Sequence, residues 1–397
     1  MSWLLASSAA AALIVGAARA RRGTSFAIFA GAMLTVHTVT STILHQNYPG
    51  PIALWSTLQT AVFVHFLSLI NAQMRSLPWR ILISMPAHWF WSGTALAIPW
   101  AVAVVLGASP AGLWLPYLLA GVGLLQSLTT VKRDVDLVID GSDAGTLRRN
   151  KTGTYRSDNP ISIFQLSDPH LGPCMSVARL QRICQRAVDS SPDLIVLTGD
   201  YLTMDGSGSP GALAQALAPL RQARCPVLAC LGNHDHEALE EVTSAMAAAG
   251  VRLLVDDAAV VQTGAGPVQV VGADFSWRSR DERLAALCEN HPRDDGLFRL
   301  LLLHDPSMIN NLPPGQADLV LSGHTHGGQI GLVSLGLPLT MVSLLFRGVP
   351  DHGFWARGSE RLYVHRATGH YGFLIRLGVP AEEGLLRVHR PRRPEAG

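Results

Sequence analysis

Residues 1–131 contain no aspartate, glutamate or lysine, and their charged side chains are five arginines. A water-soluble domain cannot be built from such a segment, because about a quarter of the residues in soluble domains are charged and most of these side chains lie in water. Residues 132–397 hold the other 26 basic and all 29 acidic side chains. The chain therefore has two parts that suit different environments.

Apolar runs within the first part are long enough to cross a bilayer, which takes about 20 residues per helix. A surface helix of a soluble domain needs a polar face, and these runs have almost none. The sequence predicts five membrane-spanning helices, at roughly 3–18, 24–44, 51–70, 81–107 and 111–131.

The positive charges predict how these helices are oriented. Arginines lie in the first and third connections, the second and fourth connections carry no charge, and Lys132 and Arg133 follow the fifth helix. Because Lys and Arg are retained on the cytoplasmic side, we expect a multi-pass protein of the inner membrane with its N-terminus outside and its second part in the cytoplasm. A cleaved signal peptide ending near Ala20 is the alternative, although residues 1–4 lack the basic start of such a peptide.

The second part predicts an α/β domain with a sheet covered on both faces, since short buried strands alternate with helices such as Val177–Val188 and Ala238–Ala249. Its five cysteines include no CxxC pair, which predicts buried free thiols. Its slight acidic excess argues against nucleic-acid binding, which needs a basic face. The strands are predicted at Ile161–Leu166, Leu194–Leu197, Val227–Leu231, Leu300–Leu303 and Leu319–Leu321.

Each of these predicted strands ends in aspartate, histidine or asparagine, and ligands of open α/β sheets bind at the edge where such strands end. Each short motif alone is ordinary turn chemistry, whereas all five together in this order are specific. The strand-end residues are Asp168, His170, Asp200, Asn233, His234, Asp235, His304, His324 and His326.

These motifs resemble the calcineurin-like metallophosphoesterases over roughly residues 159–391. The extended motif at 324–329, His-Thr-His-Gly-Gly-Gln, combined with N-terminal spans, is similar to the membrane-associated bacterial branch, which includes enzymes acting on lipid-linked phosphates such as a UDP-diacylglucosamine pyrophosphatase of lipid A synthesis. The resemblance implies a four-layer αββα sandwich of two mixed sheets beside the α-helical transmembrane region. The domains expected are a transmembrane domain at 1–131, a cytoplasmic linker at 132–158, the phosphoesterase domain at 159–391 and a tail at 392–397.

The resemblance also implies a centre for two divalent metal ions, with Asp200 bridging both. One metal would be bound by Asp168, His170 and His326, and the other by Asn233, His304 and His324. His234 would contact the phosphoryl oxygen or the leaving group, and Asp235 would orient its ring. Independently of the resemblance, two cations about 3.5–4 Å apart need an anionic bridge, and imidazole and carboxylate donors suit Mn²⁺, then Fe²⁺ or Zn²⁺.

The function expected is that of a membrane-anchored phosphohydrolase, which cleaves a phosphodiester or pyrophosphate of a lipid or lipid-linked nucleotide by metal-activated hydroxide. Its expected partners are that substrate and the membrane, and the sequence identifies no protein partner. An anchored phosphodiesterase or protein phosphatase with a soluble substrate is one alternative. A membrane sensor or scaffold that binds phosphate without turnover is another.

Some features leave more than one interpretation open. Ile330–Phe346 carries no charge, so it is either buried core or a surface that docks on the membrane beside the metals. His236 either caps a helix or takes part in catalysis. His365 and His370 depart from the pattern of the similar family, and they are candidates for substrate contacts.

Overall fold

The computed structural model of the protein describes residues 2–48, 50–203, 206–370, 372 and 375–390, so the expected tail at 392–397 lies outside them. The chain forms two compact units. The helical unit comprises Met1–Leu128, Met204–Ser209 and Tyr371–Leu377. The sheet unit comprises Thr129–Thr203, Pro210–His370 and Gly378–Gly397.

The helical unit is built from seven α-helices within the described residues, and a π-helical turn at Arg80–Ser84 joins the fourth to the fifth. Large apolar side chains such as Leu13, Ile28 and Leu54 are exposed on its first three helices, as is expected of helices that contact acyl chains. The helices are α1 (Ser2–Arg22), α2 (Thr24–Asn47), α3 (Ile52–Leu69), α4 (Leu77–Trp79), α5 (Met85–Leu96), α6 (Ile98–Val105) and α7 (Trp114–Ser127).

The number of helices that could cross a membrane differs from the five predicted. By length and composition, α1, α2 and α3 each suffice, and a fourth span exists if Leu77–Leu96 and α6, which are bent by 47°, count as one. The bend lies just before Pro99, which has no N–H to continue the helical hydrogen bonds. With 14 residues, α7 is about 21 Å long and too short for a span, because the chain enters a strand at Thr130.

The sheet unit contains thirteen strands within the described residues, arranged in two mixed sheets. They are β1 (Thr130–Val138), β2 (Arg148–Arg149), β3 (Ile161–Leu166), β4 (Leu194–Thr198), β5 (Val227–Cys230), β6 (Arg252–Leu253), β7 (Asp257–Thr263), β8 (Gly266–Gly272), β9 (Phe298–Leu302), β10 (Leu319–Ser322), β11 (Gly353–Arg357), β12 (Glu360–Val364) and β13 (Ala381–His389). The first sheet has the order β1-β13-β3-β4-β5-β6, and the second has β2-β11-β12-β10-β9-β8-β7.

Within the first sheet β3, β4, β5 and β6 are parallel, while β13 runs antiparallel to β3. Within the second, β8, β9, β10 and β12 are parallel, and β7 and β11 are antiparallel neighbours at its sides. The helices of this unit are α8 (Val177–Asp189), α9 (Ala212–Leu217), α10 (Leu239–Ala248), α11 (Arg280–Asn290) and α12 (Met341–Leu345).

Alternating side chains of both sheets build the layers. Ile163 of the first sheet and Leu300 of the second belong to one buried cluster between the sheets. The next residue along β9, Leu301, points to the other face and packs with Leu284 and Leu287 of α11. Successive side chains along a strand thus face the core between the sheets and the outer face in turn. The two mixed sheets packed against each other confirm the predicted αββα sandwich.

The predicted strands and helices of the second part are found with boundaries that shift by two residues or fewer. The cysteines are free thiols and four of the five are buried, as predicted. The expected linker at 132–158 differs, because β1 and β2 within it are edge strands of the two sheets. All nine residues of β1 pair in parallel with β13, a partner about 250 residues away that no local pattern reveals.

Candidate metal centre

Loops from both sheets bring the predicted site residues together at one edge. In the first sheet, the parallel strands β3, β4 and β5 lead into the loops that carry Asp168, Asp200 and Asn233. In the second sheet, the parallel strands β9 and β10 lead into the loops that carry His304 and His324. Parallel neighbours place their carboxyl ends at one edge, so five separate segments converge.

Six of the predicted ligands form two groups, and within each group the potential ligand atoms lie within 4.8 Å of one another. The first group contains Asp168, His170 and His326, which are all buried. The Nε2 atoms of His170 and His326 are 3.1 Å apart, and Nε2 of His326 is 3.3 Å from Oδ1 of Asp168. Imidazole nitrogens aimed at a common point beside a carboxylate are the arrangement that a cation fills.

The second group contains Asp200, His304 and His324. Nε2 of His304 is 3.2 Å from Oδ2 of Asp200, and Nδ1 of His324 is 3.3 Å from Nε2 of His304. The same Oδ2 atom is 3.7 Å from Nε2 of His170 in the first group. The carboxylate of Asp200 therefore reaches both groups.

The seventh predicted ligand, Asn233, has a buried Oδ1 atom with no hydrogen-bond partner among the described residues. An orphaned buried carbonyl oxygen is costly, and a cation next to it would remove that cost. The donor set as a whole, with imidazole nitrogens, carboxylates and one amide oxygen, thus fits two divalent metal ions.

Five of the seven residues have left-handed backbone conformations, with φ of 49° at Asp168, 45° at His170, 58° at Asp200, 67° at His324 and 53° at His326. Each such non-glycine residue costs of order 1–3 kcal/mol, and such strain clusters at functional sites. The backbone conformations that direct these side chains toward a common centre therefore lower the stability of the loops.

Glycines allow the loops to approach so closely. A Cβ atom at Gly323 would lie 2.1 Å from Oδ2 of Asp168, and one at Gly232 would lie 2.2 Å from Oδ1 of Asp200. Any side chain at either position would therefore displace a carboxylate of the site.

The electrostatics of the site favour cations. Burial opposes the charge of Asp168 and Asp200, yet the surrounding histidines hold the pKa of both carboxyl groups well below the usual range. Burial likewise opposes the charge of His304, but Asp200 and Asp168 raise its pKa to about 10. Burial lowers the pKa of His170 to about 3. Two buried, ionised carboxylates thus attract positive charge, which bound cations would supply.

Asp235 does not contact the ring of His234, contrary to the sequence-based expectation. Its carboxylate accepts backbone N–H groups of Asp200 at 2.8 Å, Tyr201 at 2.8 Å and Gly232 at 2.7 Å. Burial and the charge of Asp200 raise its pKa to about 7, whereas the three N–H donors lower it. Asp235 therefore holds the strained loop that presents Asp200.

Glu237 is the group that orients His234, and the sequence reasoning missed it. Its Oε1 atom lies 2.8 Å from Nδ1 of His234, and the backbone N–H of His234 donates to Oδ1 of Asp200. Burial lowers the pKa of His234, but Glu237 and Asp200 outweigh this and raise it. The i, i+3 spacing of His234 and Glu237 at the start of a helical turn was the available signal.

An aromatic pair beside the second ligand group was also missed. The ring centroid of Phe275 lies 6.3 Å from that of His304 and 6.2 Å from that of His324. Trp277 stands edge-on to Phe275 at 4.7 Å, and 73% of Trp277 is exposed. Both follow β8, whose Val-Gln-Val-Val run ending at a glycine was the signal for a further strand end.

The three histidines whose roles the sequence left open make other contacts. Nε2 of His236 lies 2.9 Å from Oδ1 of Asp274. His365 and His370 are buried in the segment after β12, whose Gly369 N–H donates to the carbonyl of Asp168. This segment supports the loop of Asp168.

Comparison with known proteins agrees with this geometry. Residues 161–328 match the family model described as calcineurin-like phosphoesterase. Phosphodiesterase YaeI of Escherichia coli is 30% identical over 239 residues, covering 58% of this chain and 82% of that protein. The chain belongs to the calcineurin-like phosphoesterases. As a member of this family it is a phosphoester hydrolase, and its fold implies a dinuclear metal site.

Other relatives of this phosphoesterase extend the comparison. The uncharacterized metallophosphoesterase YkuE of Bacillus subtilis is 30% identical over 215 residues, covering 53% of this chain and 72% of that protein. A transmembrane protein with metallophosphoesterase domain from Bos taurus is 26% identical, covering 57% and 52% of the two chains. With the three apolar helices, that relative supports membrane association. Phosphopantetheinyl hydrolase from Mycobacterium tuberculosis superimposes over 52% of this chain and 88% of that chain at 14% identity, but its TM-score is only 0.33.

Proposed function

We propose that this calcineurin-like phosphoesterase is a membrane-anchored hydrolase with two divalent metal ions, which cleaves a phosphodiester or pyrophosphate bond of a lipid or lipid-linked nucleotide. The observation that carries the proposal is the pair of donor groups that share Oδ2 of Asp200. A centre of two cations is suited to bind the phosphoryl group of a phosphoester substrate.

The residues divide into ligands and a proton donor. Asp168, His170 and His326 would hold one cation, Asn233, His304 and His324 would hold the other, and Asp200 would contribute to both. Bound cations would supply an activated water and stabilise the charge that develops on the phosphoryl oxygens. Mn²⁺ is the first candidate and Fe²⁺ or Zn²⁺ the next, since the donors are imidazole and oxygen without thiolate.

His234 donates a proton to the leaving oxygen as the bond to phosphorus breaks. Its Nδ1 atom is held by Glu237, so Nε2 is the atom that carries this proton. Burial lowers the pKa of the ring, but Glu237 and Asp200 raise it by more, which favours the protonated form. Glu237 and Asp200 stabilise the imidazolium, so their loss would lower the fraction of His234 that carries the proton.

The composition of the chain supports a lipid-linked substrate. Three helices that are apolar enough to cross a membrane tie the phosphoesterase domain to a bilayer, where lipid pyrophosphates of the UDP-diacylglucosamine type used in lipid A synthesis are held. The arginines in the first and third connections, and Lys132 with Arg133 at the start of the sheet unit, support the inner membrane with a cytoplasmic catalytic domain. YaeI, a relative named as a phosphodiesterase, supports cleavage of a diester.

Product analysis tests the proposal. We would incubate the full-length protein in detergent with Mn²⁺ and a panel of lipid-linked pyrophosphates, phospholipids and soluble diesters, and identify products by mass spectrometry. Asp200→Asn is the matched control, because it keeps the shape of the side chain and removes its charge. Turnover of soluble diesters with every lipid left intact would refute the lipid substrate, and bound metal without any turnover would indicate a sensor.

A further inference from the structure

The uncharged segment after the metal ligand His326 is not core. Eight large apolar side chains between residues 332 and 346 are exposed, with exposed fractions from 38% at Leu332 to 74% at Leu335. They are Leu332, Leu335, Leu337, Leu339, Met341, Leu344, Leu345 and Phe346. We call residues 332–346 the apolar hairpin.

The apolar hairpin is a folded element and not a loose loop. The backbone N–H of Leu332 donates to the carbonyl of Leu339 at 2.8 Å, which closes the hairpin. The N–H of Met341 donates to Ile330 at 2.9 Å, which ties it to the preceding residues. Thr340 begins α12 with a capping box, accepting the N–H of Ser343 at 3.1 Å. The fold thus displays these apolar side chains in a defined arrangement, which water disfavours.

The hairpin is also joined to the loop of the metal ligands. A Cβ atom at Gly328, two residues after His326, would lie 3.0 Å from the backbone nitrogen of Val342 in α12. Asp351 connects the two elements, because its carbonyl accepts the Thr325 hydroxyl and its carboxylate accepts the Thr340 hydroxyl, both at 2.6 Å. Whatever the hairpin binds is therefore held beside the metal centre.

The chemistry of the hairpin suits acyl chains better than a protein. It offers leucine, valine, methionine and phenylalanine, and lacks the tyrosine, tryptophan and arginine anchors that dominate protein interfaces. Arg347, the residue after the hairpin, is exposed. A basic side chain next to an apolar surface suits contact with lipid phosphates. Because the same chain carries candidate spans, a bilayer is always at high effective concentration.

We propose that the apolar hairpin inserts into the bilayer surface beside the metal centre, so that an acylated substrate reaches the metals without its chains crossing water. This inference rests on the proposed function and adds the route by which a lipid substrate enters. A second copy of the chain is the competing occupant.

Lipid quenching tests insertion without any need for metal or catalysis. Leu344→Cys and, as the matched control, Val260→Cys on β7 would be made in a Cys225→Ser background and labelled with a fluorophore in nanodiscs with brominated phospholipids. Val260 is also exposed, at 58% against 59% for Leu344. The remaining cysteines are buried, and burial raises the pKa of Cys184 to about 12, so that they label poorly. We expect strong quenching at position 344 and little at 260.

Equal quenching at both positions, or none at 344, would overturn the proposal. Burial of the 344 label that grows with protein concentration in lipid-free detergent would assign the hairpin to a second copy, and would equally overturn it. These outcomes do not depend on whether the enzyme cleaves lipids, so they are distinct from a failure of the proposed function.

Kinetics with paired substrates then test the entry route. Leu344→Glu and Phe346→Glu should raise KM for a long-chain lipid pyrophosphate by about tenfold or more, because charge opposes insertion. Turnover of bis-p-nitrophenyl phosphate should change less than about twofold, as it should in the control Val260→Glu. Equal losses on both substrates with lower thermal stability would show that the hairpin supports the fold instead.

Discussion

Replacing Asp235 tests whether its carboxylate holds the loop of Asp200 or orients the ring of His234. Asp235→Ala removes the acceptor of three buried backbone N–H groups, those of Asp200, Tyr201 and Gly232. An unsatisfied buried donor costs about 1–3 kcal/mol, so three cost about 3–9 kcal/mol. In the native protein, burial and the charge of Asp200 also destabilise the Asp235 carboxylate and raise its pKa to about 7. Removing that carboxylate relieves this unfavourable contribution and offsets part of the loss. We therefore expect a loss of about 3 kcal/mol, at the low end of that range.

Thermal unfolding of the full-length protein in detergent, followed by tryptophan fluorescence, measures this loss. For a domain of this size, about 3 kcal/mol corresponds to a Tm lower by about 6–12 °C. Glu237→Gln is the control, because it weakens the contact with His234 at the exposed side of the ring and should leave Tm unchanged while lowering kcat. Should Asp235→Ala retain the native Tm and lose only kcat, Asp235 would act on the reaction and not on the loop, and the assignment of Glu237 would be wrong.

Other substitutions and fusions test the site and the topology. Asp200→Ala should abolish turnover and reduce bound metal, measured by mass spectrometry of the purified protein, and full metal occupancy would contradict its place between the two groups. His234→Ala should slow kcat by about 10²–10⁴ with metal content intact, so a metal-free variant would refute the proton-donor role. Trp277→Ala should raise KM for nucleotide-linked substrates by about tenfold and leave alkyl phosphodiesters unaffected, since an exposed indole stacks on a planar base. Alkaline phosphatase is active only in the periplasm, so a fusion after residue 397 should be inactive and one before residue 1 active, as an odd number of crossings requires. Two inactive fusions would indicate four crossings.

The sequence by itself determined the chemistry of the centre. The residues at the ends of β3, β4, β5, β9 and β10 carry the donors, and neighbouring parallel strands must end at the same edge. Buried strands and amphipathic helices follow from periodicity, which is a local property, so α8 and β3 are found where the pattern predicts them. The absence of acidic residues before Asp134 likewise indicated apolar helices without any knowledge of packing.

The tertiary structure decided which partner each side chain and each strand contacts. The carboxylate of Asp235 turns to the backbone of the Asp200 loop because β4 and β5 are neighbours, and Glu237 takes the ring of His234 instead. The pairing of β1 with β13 ends the last apolar run at Thr130 and converts an expected linker into sheet. The hydrogen bonds of Leu332 and Met341 close the apolar hairpin, and its large apolar side chains lie on the surface. Contacts between distant segments settle each of these points, and composition and periodicity carry no record of them.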